Sequence, residues 1–155
     1  MAKNELWVLL SIWCFSPLLI NLPNKATDLI KSMSPCSSLT DKVVLVKLNK
    51  TWEEALYYCR EEYDDLVSIK SDGDQKWVQE RAKSASTPFV WLGLHYHCTL
   101  GFGFWTSNEV VNYTNWAKDE EVNECDMSGA MATSGDHKWH RQQDVQSFNF
   151  LCLKK

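Results

Sequence analysis

The chain has 155 residues, with 20 acidic against 16 basic side chains and a formal net charge of −4. That length fits one domain with extensions, large enough to hide roughly two thirds of its unfolded surface. The acidic balance, with no basic stripe, argues against a nucleic-acid binder, and 8 Trp, 6 Phe and 5 Tyr forecast an aromatic core.

The N-terminus comes first in chain order. Lys3 precedes an apolar stretch from Leu6 to Ile20, "LWVLLSIWCFSPLLI", broken by serines and Pro17. It is short for a membrane span, which needs about 20 apolar residues, and suits a secretory signal. Residues 1–26 are read as that signal, with Ala26 a candidate cleavage point, and residues 27–35 as a linker. A secreted, extracellular chain is expected; the alternative is a membrane anchor formed by an uncleaved signal. Six cysteines without a Cys-x-x-Cys pair give neither a zinc ribbon nor a thioredoxin-like motif. Two N-glycosylation sequons, Asn49-Lys50-Thr51 and Asn112-Tyr113-Thr114, agree with an oxidising compartment. Cys14 would leave with the signal, so the mature chain keeps an odd number of cysteines.

"VVLVKL" (43–48) reads as a strand from its β-branched apolar run. Thr51 then opens a helix. Thr51-x-x-Glu54 is a capping box, and Trp52, Ala55, Leu56 and Cys59 recur at helical spacing on one apolar face, with Glu53, Arg60 and Glu61 on the wet side. "DLVSIKS" (65–71) is a brief strand-like stretch. Ser71-x-x-Asp74 caps a second helix, with Trp77, Val78, Arg81, Ala82 and Ala85 along one side, and Pro88 stops it. "FVWLGLHY" (89–96) is a buried strand, and "GFGFWTS", "ECDMSGAMA", "HKWH" and "FNFLCL" are short strands or turns. Helices early and strands late make an α+β domain.

The ordered set "TWEEALYYCREEYDDLVSI", "VWLGL", "FWTS", "NWA", "EC", Trp139 and "FNFLC" resembles the C-type lectin-like domains, over residues 36–155. The resemblance implies a double-looped fold of two helices and short antiparallel sheets with a long irregular ligand-binding loop. It also implies a bridge between Cys59 in the first helix and Cys152 in the last strand, worth about 4–5 kcal/mol on chain-entropy grounds. The family's second bridge joins the cysteine here numbered 125 to a late one, but Asp144, Val145 and Gln146 stand in that region. Cys98, after the "VWLGL" strand, offers a replacement partner for Cys125; two free thiols are the alternative. Cys36 is left over: free, linking two chains into an oligomer, or a remnant of the extra hairpin bridge that some members of the family have.

Sugar-binding members of that family hold Ca²⁺ with oxygens converging at about 2.3–2.6 Å, using a proline-framed triplet, a Glu before the third-strand cysteine and a later Trp-Asn-Asp. Here the loop reads "AKDEEVNEC" without proline, and Trp139 is followed by His140, Arg141 and Gln142. Glu124 occupies the pre-cysteine place and Asn123 precedes it. The expectation is a solvated acidic loop and no cofactor; any metal would fall to Glu120, Glu121 and Glu124. The candidate ligand-binding residues are Lys118, Asp119, Glu120, Glu121, Asn123, Glu124, His137, His140 and Arg141, the histidines forming a pH-sensitive edge.

His95 and His97 alternate on a strand and share a side; surface or packing roles are expected before a metal pair. Trp91, Trp105, Trp116 and Trp139 are expected in the core. No nucleophile–base order or phosphate loop supports an enzyme. The sequence thus points to a non-catalytic extracellular recognition module for a protein or glycoconjugate, with a Ca²⁺-dependent lectin and a disulfide-linked subunit as the rival readings.

Overall fold

In the computed structural model the described residues are 42–118, 120 and 125–155; the expected signal, linker and Cys36 lie outside them. Their elements are β1 (Val43–Lys50), α1 (Trp52–Glu62), α2 (Asp72–Ala82), β2 (Phe89–His97), β3 (Phe102–Trp105), β4 (Met127–Ala132), β5 (Trp139–Gln143) and β6 (Phe148–Leu153). The α+β class and the C-type lectin-like arrangement of helices and sheet are as expected.

Both helices start where their caps dictate. Thr51 Oγ1 accepts from the Glu54 amide and the Glu54 carboxylate accepts from the Thr51 amide, completing the capping box. That box is worth about 1 kcal/mol. Ser71 Oγ caps α2 by accepting from the Asp74 amide at 3.1 Å. The "DLVSIKS" stretch is extended but forms no strand of its own: Leu66 makes an isolated bridge to Cys152, and Val67 N donates to Leu151 O.

The sheet runs β1-β6-β2-β4-β5, with β3 paired to the C-terminal half of β2. All pairings are antiparallel except β2 with β6, where Val90 and Trp91 face Asn149 and Phe150. Alternation along β2 divides the core in two. Val90, Leu92 and Leu94 join Val78 and Ala82 of α2, whereas Trp91 joins Trp52, Ala55 and Cys59 of α1. One helix therefore covers each face. Gly93 interrupts that alternation for a steric reason. A Cβ there would sit 2.7 Å from Thr106 Oγ1 and 3.0 Å from Leu66 O, while its own backbone bonds both neighbouring segments, to Val67 O and from Thr106 N.

Trp91, Trp105 and Trp139 are buried as expected. Three buried indole nitrogens have partners: Trp52 donates to Leu92 O, Trp91 to Lys50 O and Trp139 to Gln75 Oε1. The α2 expectation needs correction. Trp77 is 37% exposed, and the inner face carries Gln75, Val78 and Ala82. Gln75 is the better occupant because the core beneath α2 presents polar groups: its amide donates to His137 O at 3.2 Å and accepts from Trp139 at 2.8 Å.

Cys59 and Cys152 are joined with Cα atoms 5.4 Å apart, and Cys98 and Cys125 with Cα atoms 5.2 Å apart, both inside the range a disulfide needs. The first is fully buried; Cys98 and Cys125 are exposed.

Candidate functional site

The expected ligand face gathers at β5, the end of the sheet's strand order opposite β1. Residues 115–117 run beside it: Trp139 N donates to Asn115 O at 2.9 Å and Ala117 N to Trp139 O at 2.8 Å. Trp139 is the hub of this region. The rings of Trp105, Tyr113 and Trp116 meet it edge-on, at centroid distances of 5.6, 5.8 and 5.6 Å. Trp116 is thus half-buried rather than a core residue proper.

Beyond Trp139, β5 alternates. His140 turns to Phe89, whose ring it meets at 5.2 Å. Arg141 turns the other way and lies over Tyr96 and Trp116, at 5.0 and 5.3 Å from their centroids, a cation–π arrangement on two faces. Glu120 ties the loop to both residues. Its Oε1 lies 2.8 Å from His140 Nδ1, and its Oε2 accepts from the Arg141 amide at 2.9 Å. The expectation of a solvated loop is therefore corrected at Glu120, whose side chain keeps only 24% of its exposure.

The same contacts test the family's metal. A Ca²⁺ ligand needs its carboxylate oxygens for the ion, and both oxygens of Glu120 are already engaged by protein donors. Among the described residues no three His, Cys, Asp or Glu side chains converge as a metal-ligand set. Glu121 and Glu124, the other residues expected to hold any metal, lie outside the described residues. A small cavity of about 80 Å³ opens between Tyr96, Trp116, Ser128 and Arg141. It is below the roughly 300–1,000 Å³ of small-molecule pockets, so a ligand would lie on this surface rather than enter it.

The other expected site residues are dispersed. Lys118 is exposed. Asp119, Glu121, Asn123 and Glu124 lie outside the described residues. His137 faces inward, with Nδ1 2.9 Å from Ala132 O, and so is a poor ligand contact. It takes φ 51°, in the left-handed region, within the β4–β5 connection. Asn49 and Asn112 are both exposed. Asn49 Oδ1 accepts from Asn149, which leaves its amide nitrogen, the glycan-bearing atom, unencumbered by that bond.

His95 and His97 share the face of Phe104, as their alternation requires. Only His95 is built in: it stacks on Trp52 at 4.7 Å, and its Nδ1 lies 3.0 Å from Ser128 Oγ and 3.9 Å from Asp144 Oδ2. Serine and carboxylate address the same ring nitrogen, so this is no Ser-His-Asp relay, which needs the imidazole between them. Asp144, not foreseen here, is a half-buried carboxyl whose Oδ1 has no hydrogen-bond partner. Burial raises its pKa above the ordinary 3.8, and the carboxylates of Asp126 and Glu53 add to the rise, against the lowering effects of the Ser128 hydrogen bond and His95. An acid whose folded pKa is raised destabilises the fold while ionised, and that penalty fades as pH falls through the folded value toward 3.8. Asp144→Asn should accordingly melt higher than the parent at pH 7, with the gap closing in melts run toward pH 4; a variant less stable at pH 7 would refute the assignment.

A disulfide-stapled α+β domain with residues 115–117 laid along its terminal strand defines the class of fold. The chain belongs to the C-type lectin domain family, matched over residues 48–154. It is 32% identical over 117 residues to Snaclec A4 of Macrovipera lebetinus, covering 68% of this chain and 71% of that one. Against C-type mannose receptor 2 of Homo sapiens it is 27% identical over 120 residues, 76% of this chain but only 8% of the receptor. Human lithostathine superposes with a TM-score of 0.66 at 24% identity, over 73% of this chain and 82% of that one. Among the described residues no helix is long and apolar enough to cross a membrane.

Proposed function

We propose that this domain is a secreted, non-catalytic recognition module that binds a protein or glycoconjugate on the surface formed by the loop and β5, without a Ca²⁺-gripped sugar. The observation that carries this reading is the engagement of both Glu120 oxygens by His140 and Arg141. An ion at Glu120 would have to displace two hydrogen bonds, one from a backbone amide. The pieces that remain, Arg141 over two aromatic rings and the exposed Lys118, suit polar or acidic protein and glycan surfaces. Family relatives named as snaclecs and lectins support a binding role and leave the ligand open.

Two measurements test it. Millimolar Ca²⁺ should leave the melting temperature essentially unchanged. A site with a dissociation constant of about 0.1–1 mM would, at about 5 mM ion, add roughly 1–2 kcal/mol, a shift of several degrees. Any small rise should be reproduced by Mg²⁺. A several-degree rise specific to Ca²⁺ and abolished by Glu124→Gln would establish the calcium-lectin alternative instead. A glycan array run with and without Ca²⁺ then separates glycoconjugate from protein ligands.

A further inference from the structure

Residues 109–115 carry the second sequon on a segment held at both ends. Trp105 N donates to Glu109 O at 3.1 Å, and Val110 bridges to Phe104 of β3. At the far end Trp139 N donates to Asn115 O at 2.9 Å. Between these anchors the side chains alternate, as an extended chain requires. Val111 and Tyr113 pack against the core, whereas Val110, Asn112 and Thr114 are exposed. The two residues that a sequon needs, Asn112 and Thr114, therefore share the outer side with Val110, which is 71% exposed.

An open groove of about 410 Å³ lies at this segment, and its described lining is Lys70, Trp105, Glu109, Val110, Asn112 and Tyr113. That volume falls within the roughly 300–1,000 Å³ of small-molecule sites. Val110, Trp105 and Tyr113 give it an apolar, aromatic wall. Lys70 and Glu109 are its polar part, paired with each other and both half-exposed. Because the two charges offset one another, the described lining selects neither an anion nor a cation. A neutral ligand with an apolar face and polar edges fits it best.

We propose that the chain's own N-glycan fills this groove, the innermost N-acetylglucosamine on Asn112 lying over Val110 and Tyr113. Asn112 both belongs to the sequon and lines the groove, so the first sugar starts at the wall. N-acetylglucosamine carries its ring substituents equatorially. Its two ring faces are therefore C–H surfaces suited to Val110 and the aromatic rings, while its hydroxyls and acetamido group reach Lys70 and Glu109 at the edge. Attachment forms the Nδ2–C1 bond and breaks the C1–O bond to the polyisoprenyl diphosphate of the oligosaccharide donor. The diphosphate leaves with the electron pair, and Nδ2 gives up one proton. A sugar held there covers Val110 and stiffens the approach to residues 115–117 on β5, the candidate ligand face. The proposal rests on the secreted reading, because the donor is met only in the secretory pathway.

The test expresses the full chain in cultured mammalian cells behind an added secretion leader, so that Asn112 meets the donor whatever residues 1–26 do. Peptide mapping of the secreted protein should find Asn112 occupied. The glycan should raise the melting temperature by a few degrees over Asn112→Gln. That rise should vanish in a Val110→Asp background, which keeps the sequon but puts a solvated charge where the sugar face would lie. The cycle separates contact in the groove from the general effect of carrying a glycan. After endoglycosidase trimming to a single sugar, nuclear Overhauser contacts from its protons to Val110 and Tyr113 are expected. Asn112 left bare in secreted protein, an equal rise in both backgrounds, or no such contacts, which would leave the groove to a separate ligand, would each overturn the proposal. A chain that leaves the cell only with the added leader would overturn the secreted reading alone.

Discussion

Replacing Cys59 and Cys152 together by alanine should lower the domain's stability by about 4–5 kcal/mol. The two residues are separated by 93 positions in sequence, so their bond restrains nearly the whole domain in the unfolded chain. They also bind structure that is far apart in the fold's assembly. Cys59 is the last inward residue of α1, and Cys152 lies on β6 between β1 and the Leu66 bridge. Both are fully buried, so the variant also loses packed sulfur in the cluster of Trp52, Trp91 and Phe150. A typical domain has only about 5–15 kcal/mol in total, and the loss should bring the fold close to unfolding at physiological temperature.

The second bridge supplies the comparison. Cys98 and Cys125 are separated by 27 positions and lie at the surface. Chain entropy gives that shorter loop about 3.5 kcal/mol, with little packing to add. Thermal melts of the two double-alanine variants should rank the Cys59–Cys152 loss as the larger. The reverse order would mean that the buried bridge is not the main staple. Because Cys125 lies immediately before β4 and the loop enters there, losing the second bridge should disturb the β5 face more than the core.

Several elements were legible because their determinants are local. Both helix starts follow from a hydroxyl and an acid three residues apart, and the α1 face follows from spacing alone. The tryptophans at 91, 105 and 139 were legible as core, whereas Trp116, expected there too, is only half-buried. What was not legible depends on partners distant in sequence. Trp77 outranks Gln75 on any hydrophobic scale, yet Gln75 is inside because Trp139, 64 positions on, needs an acceptor for its indole. Glu120 looked like one more acid in a run of acids; its role comes from the edge of β5, 20 residues away. Tyr96 read as another buried strand residue, and only the antiparallel stacking of β2, β4 and β5 brings Arg141 over its ring. Asp144 stood out only as one residue of the stretch that lacks the late cysteine, whereas its carboxyl is drawn inward to Ser128 and His95.

Asn149 is the position where a single substitution should be most costly and most informative. It is fully buried and uses every polar atom of its side chain. Oδ1 accepts from Ser86 N at 2.7 Å and Ser86 Oγ at 2.9 Å, while Nδ2 donates to Leu48 O at 3.4 Å and Asn49 Oδ1 at 2.9 Å. One amide thus fastens the end of β1 and the α2–β2 connection to β6. Asn149→Leu keeps the volume and abandons all four bonds, an expected loss of about 2–4 kcal/mol, or several degrees in melting temperature. Asn149→Asp separates hydrogen bonding from size. It retains the acceptor toward Ser86 but turns the former donor into an oxygen facing Leu48 O and Asn49 Oδ1, with a buried charge besides. At pH 7 it should be at least as unstable as the leucine variant. Its folded pKa should be raised by burial and by those two acceptors, so stability should recover as pH falls and the protonated acid regains a donor. Melting curves of the two variants between pH 7 and pH 4 decide the matter: recovery confined to Asn149→Asp is the expected result, and parallel curves would show that the amide's donor contributes nothing at this site.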